Sequence, residues 1–277
     1  MSTRPTVHLI EPNPDGHRAW FLRWLLGDPP GDRQWVLHTT RAAARHPALR
    51  ELLTQRPAGL RLAWITVPPA GDPRDPLALL RHHLRRARAY RRALRPVRQR
   101  ADQVVFIPYV DDALFGLAPL RRPFGANTLI ALGMRGDWEP PPPGLGRRAR
   151  LMRALRRRAL LRLIAAPGCR RYLSNQPPLV RLIARAHPGL APKLVVYGDP
   201  APTPPPVDRD AARRTLDCRG DQRLLLYFGP LARRKGLAEL IALVAHHDWP
   251  ASHRVLLAGP MTPDAETLLV GTAAAQA

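Results

Sequence analysis

Short apolar runs alternate with longer periodic stretches along this chain. Val7-His-Leu-Ile10 has the composition of a buried strand and is closed by turn residues, Glu11-Pro-Asn-Pro-Asp-Gly16. From His17 to Leu26 a helix is predicted, with Ala19, Leu22, Leu25 and Leu26 on one face. Further strands are predicted at Gln34 to His38, Leu60 to Val67 and Gln103 to Pro108. Between the last two, Leu77, Leu80, Leu84, Ala87, Tyr90 and Leu94 recur at three and four residues, so this helix turns a stripe to the core and arginine and histidine to solvent. Asp75 suits its N-cap, Pro76 its first turn, and Pro96 its end.

Beyond it, a strand is predicted at Asn127 to Leu132 and a loop at Pro140 to Pro143. A strongly basic helix spans Leu145 to Ala166. It is not cleanly amphipathic, because Arg162 falls on the side of Leu151 and Leu155, and this does not favour membrane-surface docking. A strand at Lys193 to Tyr197 runs into Gly198-Asp-Pro-Ala-Pro-Thr-Pro-Pro-Pro206, the best domain boundary in the chain. A helix from Asp210 to Leu216 and a strand from Arg223 to Phe228 follow. Strands alternating with helices predict α/β domains built on parallel sheets. The boundary gives an N-terminal domain over 1–199, a linker over 200–206 and a second domain over 207–277.

A length of 277 residues suits about two domains, and 45% hydrophobic residues is an ordinary globular composition. The formal charge of +23 adds an attraction to polyanions, but arginine supplies 42 of the 44 basic residues and the excess is spread along the chain. Weak, nonspecific contact with polyanions or an anionic membrane surface is expected, and no specific nucleic acid. Cys169 and Cys218 lack partners at ligand spacing and are expected to be buried thiols rather than a metal site or a disulfide. Neither a signal core nor a run of the ~18 apolar residues a span requires is present, so a cytoplasmic location is expected.

The most informative stretch is Leu224-Leu-Leu-Tyr-Phe-Gly-Pro-Leu-Ala-Arg-Arg-Lys-Gly236, followed by an amphipathic segment and by Val255-Leu-Leu-Ala-Gly-Pro260. A strand ending at Gly229 that feeds Arg233, Arg234 and Lys235 into a helix start places cations beside free backbone N–H groups, as a phosphate or diphosphate requires. Lys235 is one of only two lysines, with Lys193. The same pattern fits a solvated turn in which Gly229 merely ends the strand.

These residues carry a resemblance to the GT-B glycosyltransferases, and within them to the retaining nucleotide-sugar transferases of family four (glycosyl transferases group 1). Phe228, Gly229, Leu231, Lys235 and Gly236 match that family's Phe-Gly-Arg-Leu…Lys-Gly pattern, with Pro230 in place of its arginine. Asp15-Gly16-His17 is similar to the glycine-bearing loop of its first domain, and Val195-Val-Tyr-Gly-Asp-Pro200 to the strand entering its linker. The resemblance implies two Rossmann-like domains of GT-B type. It also implies a nucleotide-sugar as donor substrate, an unidentified acceptor, no cofactor or metal, and Gly16, His17, Gly229, Arg233, Arg234 and Lys235 as ligand-binding residues. Lys235, helped by Arg233 or Arg234, would neutralise the departing diphosphate. The family's pair of glutamates seven residues apart has no counterpart here, since Glu266 is the only glutamate after Glu239 and position 274 is alanine. The second domain is therefore expected to be incomplete and the transferase inactive on that account.

Other candidates weigh less. His82-His83 and His246-His247 are adjacent pairs, not spaced to share one helix face, and each is expected to be partly exposed. Asp111-Asp112 follows a strand end where a parallel sheet binds ligands, and fits a helix N-cap equally well. No P-loop, nucleophile elbow or complete Gly-x-Gly-x-x-Gly occurs. A noncatalytic basic α/β protein that binds nucleic acid or other polyanions is the alternative function, resting on charge alone.

Overall fold

The computed structural model of the chain describes residues 6–13, 18–27, 33–55, 57–68, 75–134, 144–198, 206–246, 250 and 252–276. It divides into two compact units, Met1–Pro202 and Thr203–Ala277. Unit 1 runs β1 (Thr6–Ile10), α1 (Arg18–Gly27), β2 (Gln34–Thr39), α2 (Arg41–Ala44), α3 (Pro47–Gln55), β3 (Leu60–Trp64) and α4 (Pro76–Ala93). It continues with β4 (Val104–Ile107), α5 (Leu114–Leu117), β5 (Thr128–Gly133), α6 (Arg147–Ala165), β6 (Cys169–Ser174), α7 (Pro177–Ala186) and β7 (Leu194–Val196). Among the described residues these strands form one seven-stranded parallel sheet, ordered β3-β2-β1-β4-β5-β6-β7. The order reverses between β1 and β4, so loops leave their C-terminal ends in opposite directions and open a crevice there.

Both faces of the central strands β1, β4 and β5 are covered, which is why these are apolar runs rather than alternating ones. On β1, Val7 and Leu9 face one side and pack with Phe21, Leu22 and Leu26 of α1 and Leu49 and Leu52 of α3. Ile10 faces the other, among Ala87 and Tyr90 of α4 and Leu160 and Leu163 of α6. A fully buried leucine in such a layer contributes about 2 kcal/mol. Two histidines interrupt the apolar runs. His8 Nε2 lies 2.8 Å from Gln103 Oε1, and His8 Nδ1 lies 2.9 Å from His38 Nε2. The amide oxygen can only accept, so His8 donates from Nε2 and accepts at Nδ1 from His38.

Helix α4 begins as its sequence requires. The Asp75 carboxylate accepts from Leu77 N at 2.9 Å, and Pro96 falls in the 3-10 turn that follows the helix. The expected stripe is buried only in its second half, at Ala87, Tyr90 and Leu94, whereas Leu77 and Leu80 are exposed. Four-residue α5 packs against α4 near Ala87, where Gly116 lets the backbones approach: a Cβ there would lie 2.5 Å from Ala87 Cβ and 2.7 Å from His83 O. His83 is buried, not partly exposed as expected, because its ring packs on Phe115, 5.0 Å between centroids. Beyond Ala166 the sequence reading lacks β6 and α7. β6 interrupts its apolar pattern with Arg170 and Arg171, both exposed. Strand β3 ends at Trp64 rather than Val67, and in the strand predicted at Lys193 to Tyr197 the Lys193 end is a 3-10 turn.

Unit 2 comprises α8 (Arg209–Thr215), β8 (Arg223–Phe228), α9 (Leu237–His246), β9 (His253–Ala258) and α10 (Pro263–Gln276). β8 and β9 pair in parallel from Arg223↔His253 to Phe228↔Ala258. Its core is small: Leu231, Leu237 and Ala265, joined by Tyr227, Ile241 and Leu257. Cys169 and Cys218 are free and buried. No described helix is long and apolar enough to cross a membrane.

Candidate functional site

In unit 2 the cation-bearing stretch lies at the C-terminal edge of the β8–β9 pair. Strand β8 ends at Phe228, and Gly229 takes a left-handed φ of 99° with no atom within 4 Å of where a side chain would begin. Its neighbour at the end of β9, Gly259, is packed the opposite way: a Cβ there would meet Gly229 O at 1.9 Å. The two glycines thus let the strand ends touch beneath while the side above Gly229 stays open.

The cations lie in the turn between strand and helix, ahead of the helix's own first turn. Arg233, Arg234 and Lys235 form a 3-10 turn, Gly236 follows with φ 83°, and only then does α9 start at Leu237. The reason is the left-handed Gly236, which breaks the helical path between the turn and α9. Three N–H groups of the stretch are engaged. Lys235 N donates to Ala232 O and Gly236 N to Arg233 O, while Arg233 N donates to the Asp264 carboxylate at 3.0 Å. Hydrogen bonds from Thr262 and Arg233 N hold Asp264 below the usual carboxylate range. With Glu239 in the first turn of α9, the edge is less positive than its three cations alone imply. What remains for an anion is Lys235, Arg233, and the leading N–H groups of α9, which have no intrahelical acceptor. Both of these side chains are exposed; the side chain of Arg234 lies outside the described residues, as do Gly16 and His17.

Unit 1 has its own cluster at the switch point, and the sequence reading missed most of it. Glu11, just past β1, is 1% exposed and accepts from Asn13 N at 2.9 Å and from Arg18 Nη1 at 3.3 Å. Arg18 Nη1 also donates to Asp112 Oδ2 at 2.7 Å, and Arg86 Nη1 to the same oxygen at 2.8 Å. The Arg18 guanidinium sits 4.2 Å over the Tyr109 ring. Neither Asp111 nor Asp112 caps a helix: both lie within the 3-10 turn Val110–Asp112, and Asp111 accepts from Met134 N at 2.8 Å. Burial pushes the Glu11 carboxyl up to about 7, outweighing the pull of Arg18. Burial acts downward on Arg18, but Glu11 and Asp112 together raise it above its ordinary value. Two guanidiniums and two carboxyls, with Glu11 held toward its protonated form, thus tie the end of β1 to α1, α4 and the Val110–Asp112 turn. Only the partner spacing hides it from sequence, since Arg18 and Asp112 are 94 residues apart.

No protein-family model and no curated protein sequence matches the chain. Solved structures do match in fold. HepE of Anabaena in complex with UDP is 14% identical at a TM-score of 0.58, over 98% of this chain and 65% of that one. The lipopolysaccharide outer core galactosyltransferase WaaB, in its apo form, is 12% identical at 0.54, over 98% and 64%. The N-terminal domain of trehalose-6-phosphate phosphatase from Candida albicans is 9% identical at 0.59, over 98% and 68%. The chain thus spans about two thirds of the length of these structures. The fold is α/β of the Rossmann-like GT-B type. The N-terminal domain of a trehalose-6-phosphate phosphatase shares it, so the fold by itself selects no reaction.

Proposed function

We propose that the chain is a glycosyltransferase by fold and donor site, holding a nucleotide-sugar whose diphosphate rests at the Arg233–Lys235 turn. The 277 residues alone are expected to bind the donor without transferring its sugar, because the family's paired glutamates have no counterpart among them. The observation that carries this reading is the open C-terminal edge of β8–β9. There Gly229 leaves room for a ligand, and Lys235 and Arg233 stand in solvent beside the start of α9. HepE, of like fold, is described in complex with UDP, which supports the nucleotide as ligand. The retaining, family-four type is the finer form of the proposal and rests on Phe228, Gly229, Leu231, Lys235 and Gly236.

In this mechanism the sugar–phosphate bond breaks with negative charge growing on the diphosphate. Lys235 and Arg233 stabilise that charge as it develops, and the α9 N-terminus adds its dipole. The cations do the neutralising, so no metal takes part. The crevice of unit 1, floored by Glu11, Arg18, Asp112 and Arg86, is assigned to the acceptor.

Calorimetry with UDP tests the donor site. A charge-assisted hydrogen bond is worth ~1.5–3 kcal/mol, so Lys235→Ala is expected to weaken binding about tenfold or more. Arg209→Ala, an exposed charge on α8, is the control and is expected to leave affinity unchanged. Arg213 would mislead as a control because its guanidinium ties down Gln222 O at 2.7 Å. Addition of a chelator is expected to change nothing. Equal losses at Lys235 and Arg209 would reduce the turn to ordinary surface charge.

A further inference from the structure

In unit 1 the leading turns of α4 and α6 leave four leucines in solvent: Leu77 (62% exposed), Leu80 (39%), Leu151 (60%) and Leu155 (43%). Between the two helices runs an apolar groove of about 390 Å³ whose lining includes Leu77, Leu80, Phe115, Met152 and Leu155 as well as Arg158 and Arg162. A second groove of about 440 Å³ lies along α6 against His187, lined by Arg150, Arg153, Arg157 and Arg158. Helix α6 carries eight arginines and no acidic residue, and Arg147, Arg148, Arg150, Arg158 and Arg162 are exposed. The leucines and arginines are therefore interleaved on one surface. Arg162 sharing a groove with Leu155 is the structural form of that mixing.

We propose that this face docks on an anionic phospholipid surface, with the leucines entering the hydrocarbon boundary and the arginines meeting the phosphates. Each half of the pattern excludes a different alternative. A second copy of this chain could cover the leucines, but it would press one eight-arginine helix against another in a protein of charge +23. A nucleic acid would satisfy the arginines but leave the leucines hydrated, and the apolar groove holds one aromatic ring, Phe115, too few for a stacking platform. An anionic bilayer answers both at once. Arginine stems lie along the apolar zone while their heads reach the phosphate level, so a stripe that is not cleanly amphipathic on a helical wheel still docks. The proposal is independent of the donor reading, since every residue it uses is in unit 1.

The test is sedimentation of the full chain with vesicles of phosphatidylcholine alone or mixed with phosphatidylglycerol, near physiological salt. The chain is expected to pellet with the mixed vesicles and not with the neutral ones. Leu151→Ser combined with Leu155→Ser is expected to weaken that binding about tenfold or more while leaving binding to soluble heparin unchanged. Both positions are exposed, so an unchanged thermal melt certifies the fold. Arg147→Gln, Arg148→Gln and Arg150→Gln together are expected to weaken vesicle binding as well, whereas Arg209→Gln with Arg223→Gln in unit 2 is not. Vesicle binding indifferent to the leucines, or weakened equally by the unit 2 changes, overturns the proposal in favour of general polyanion attraction. So does leucine-dependent self-association, or leucine-dependent binding of RNA, in a chain that ignores both vesicles.

Discussion

Glu11 and His38 are joined through their backbones, Glu11 N donating to His38 O at 3.1 Å, yet their side chains answer pH in opposite senses. The Glu11 carboxyl titrates near 4.5 when solvated and about 7 when buried, so folding favours its protonated form. Its stabilisation is full below 4.5 and is lost as pH rises to about 7. For His38 burial lowers the value from 6.5 to about 4, with His8 adding to the effect, so folding favours the neutral ring. That stabilisation is present above 6.5 and is lost as pH falls to about 4. Each amounts to about 3 kcal/mol, and over the shared window they oppose one another. Urea stability of the native sequence is therefore expected to change little between pH 4.5 and 6.5 on their account. Glu11→Gln should expose a loss toward acid, and His38→Gln a loss toward neutrality. Flat profiles from both variants would show that neither group titrates as its surroundings dictate. None of this was legible in sequence. Glu11 stood among turn residues and His8 inside an apolar run, and only parallel pairing of β1 with β2 and β4 brings His38 and Gln103 to them.

Among the elements, strands were the more legible. β1, β2, β4, β8 and β9 are apolar runs such as Val104–Ile107 and Arg223–Phe228, buried in unit 1 but half-exposed in unit 2, and the pattern marks them to within about two residues. β6 escaped because two arginines break its run, and α10 because its residues carry little periodicity. The open edge above Gly229 was partly legible. The glycine and the cations were marked, but the engagement of Arg233 N by Asp264, 31 residues on, depends on a helix the pattern did not announce. Two element-level substitutions are informative. Gly116→Ala would drive a methyl into Ala87 Cβ and His83 O and is expected to cost about 1–3 kcal/mol in a urea melt. Lys193→Met removes the ammonium that donates to the carbonyls of Ile164, Ala165 and Ala166 at 2.9, 3.4 and 2.9 Å. Half-buried as it is, it is expected to cost about 1 kcal/mol, with faster hydrogen exchange beyond the end of α6, at Gly168 and Cys169. A Gly116→Ala protein as stable as the parent would mean α4 and α5 have slack between them.

For the molecule as a whole, the two units differ in how much they bury. Unit 1 has a core on each face of its sheet. Unit 2 rests on Leu231, Leu237 and Ala265 under a two-stranded sheet, and it shows Leu225, Leu226 and Phe228, the last 79% exposed, to solvent. So small a sheet is weakly stable on its own. Limited thermolysin digestion is expected to degrade unit 2 first and to leave a resistant fragment ending near Pro202, identified by mass. A unit 2 fragment that outlasts unit 1 would reverse that ranking. The cap on α6 carries one more consequence, for chemistry done on the protein rather than by it. The chain has two lysines, and one of them has its three N–H bonds turned onto carbonyls while the other, Lys235, stands in solvent. Among lysine side chains, an amine-directed acylating dye should therefore find a single address, which places a reporter on the turn before α9 without a cysteine or a mutation.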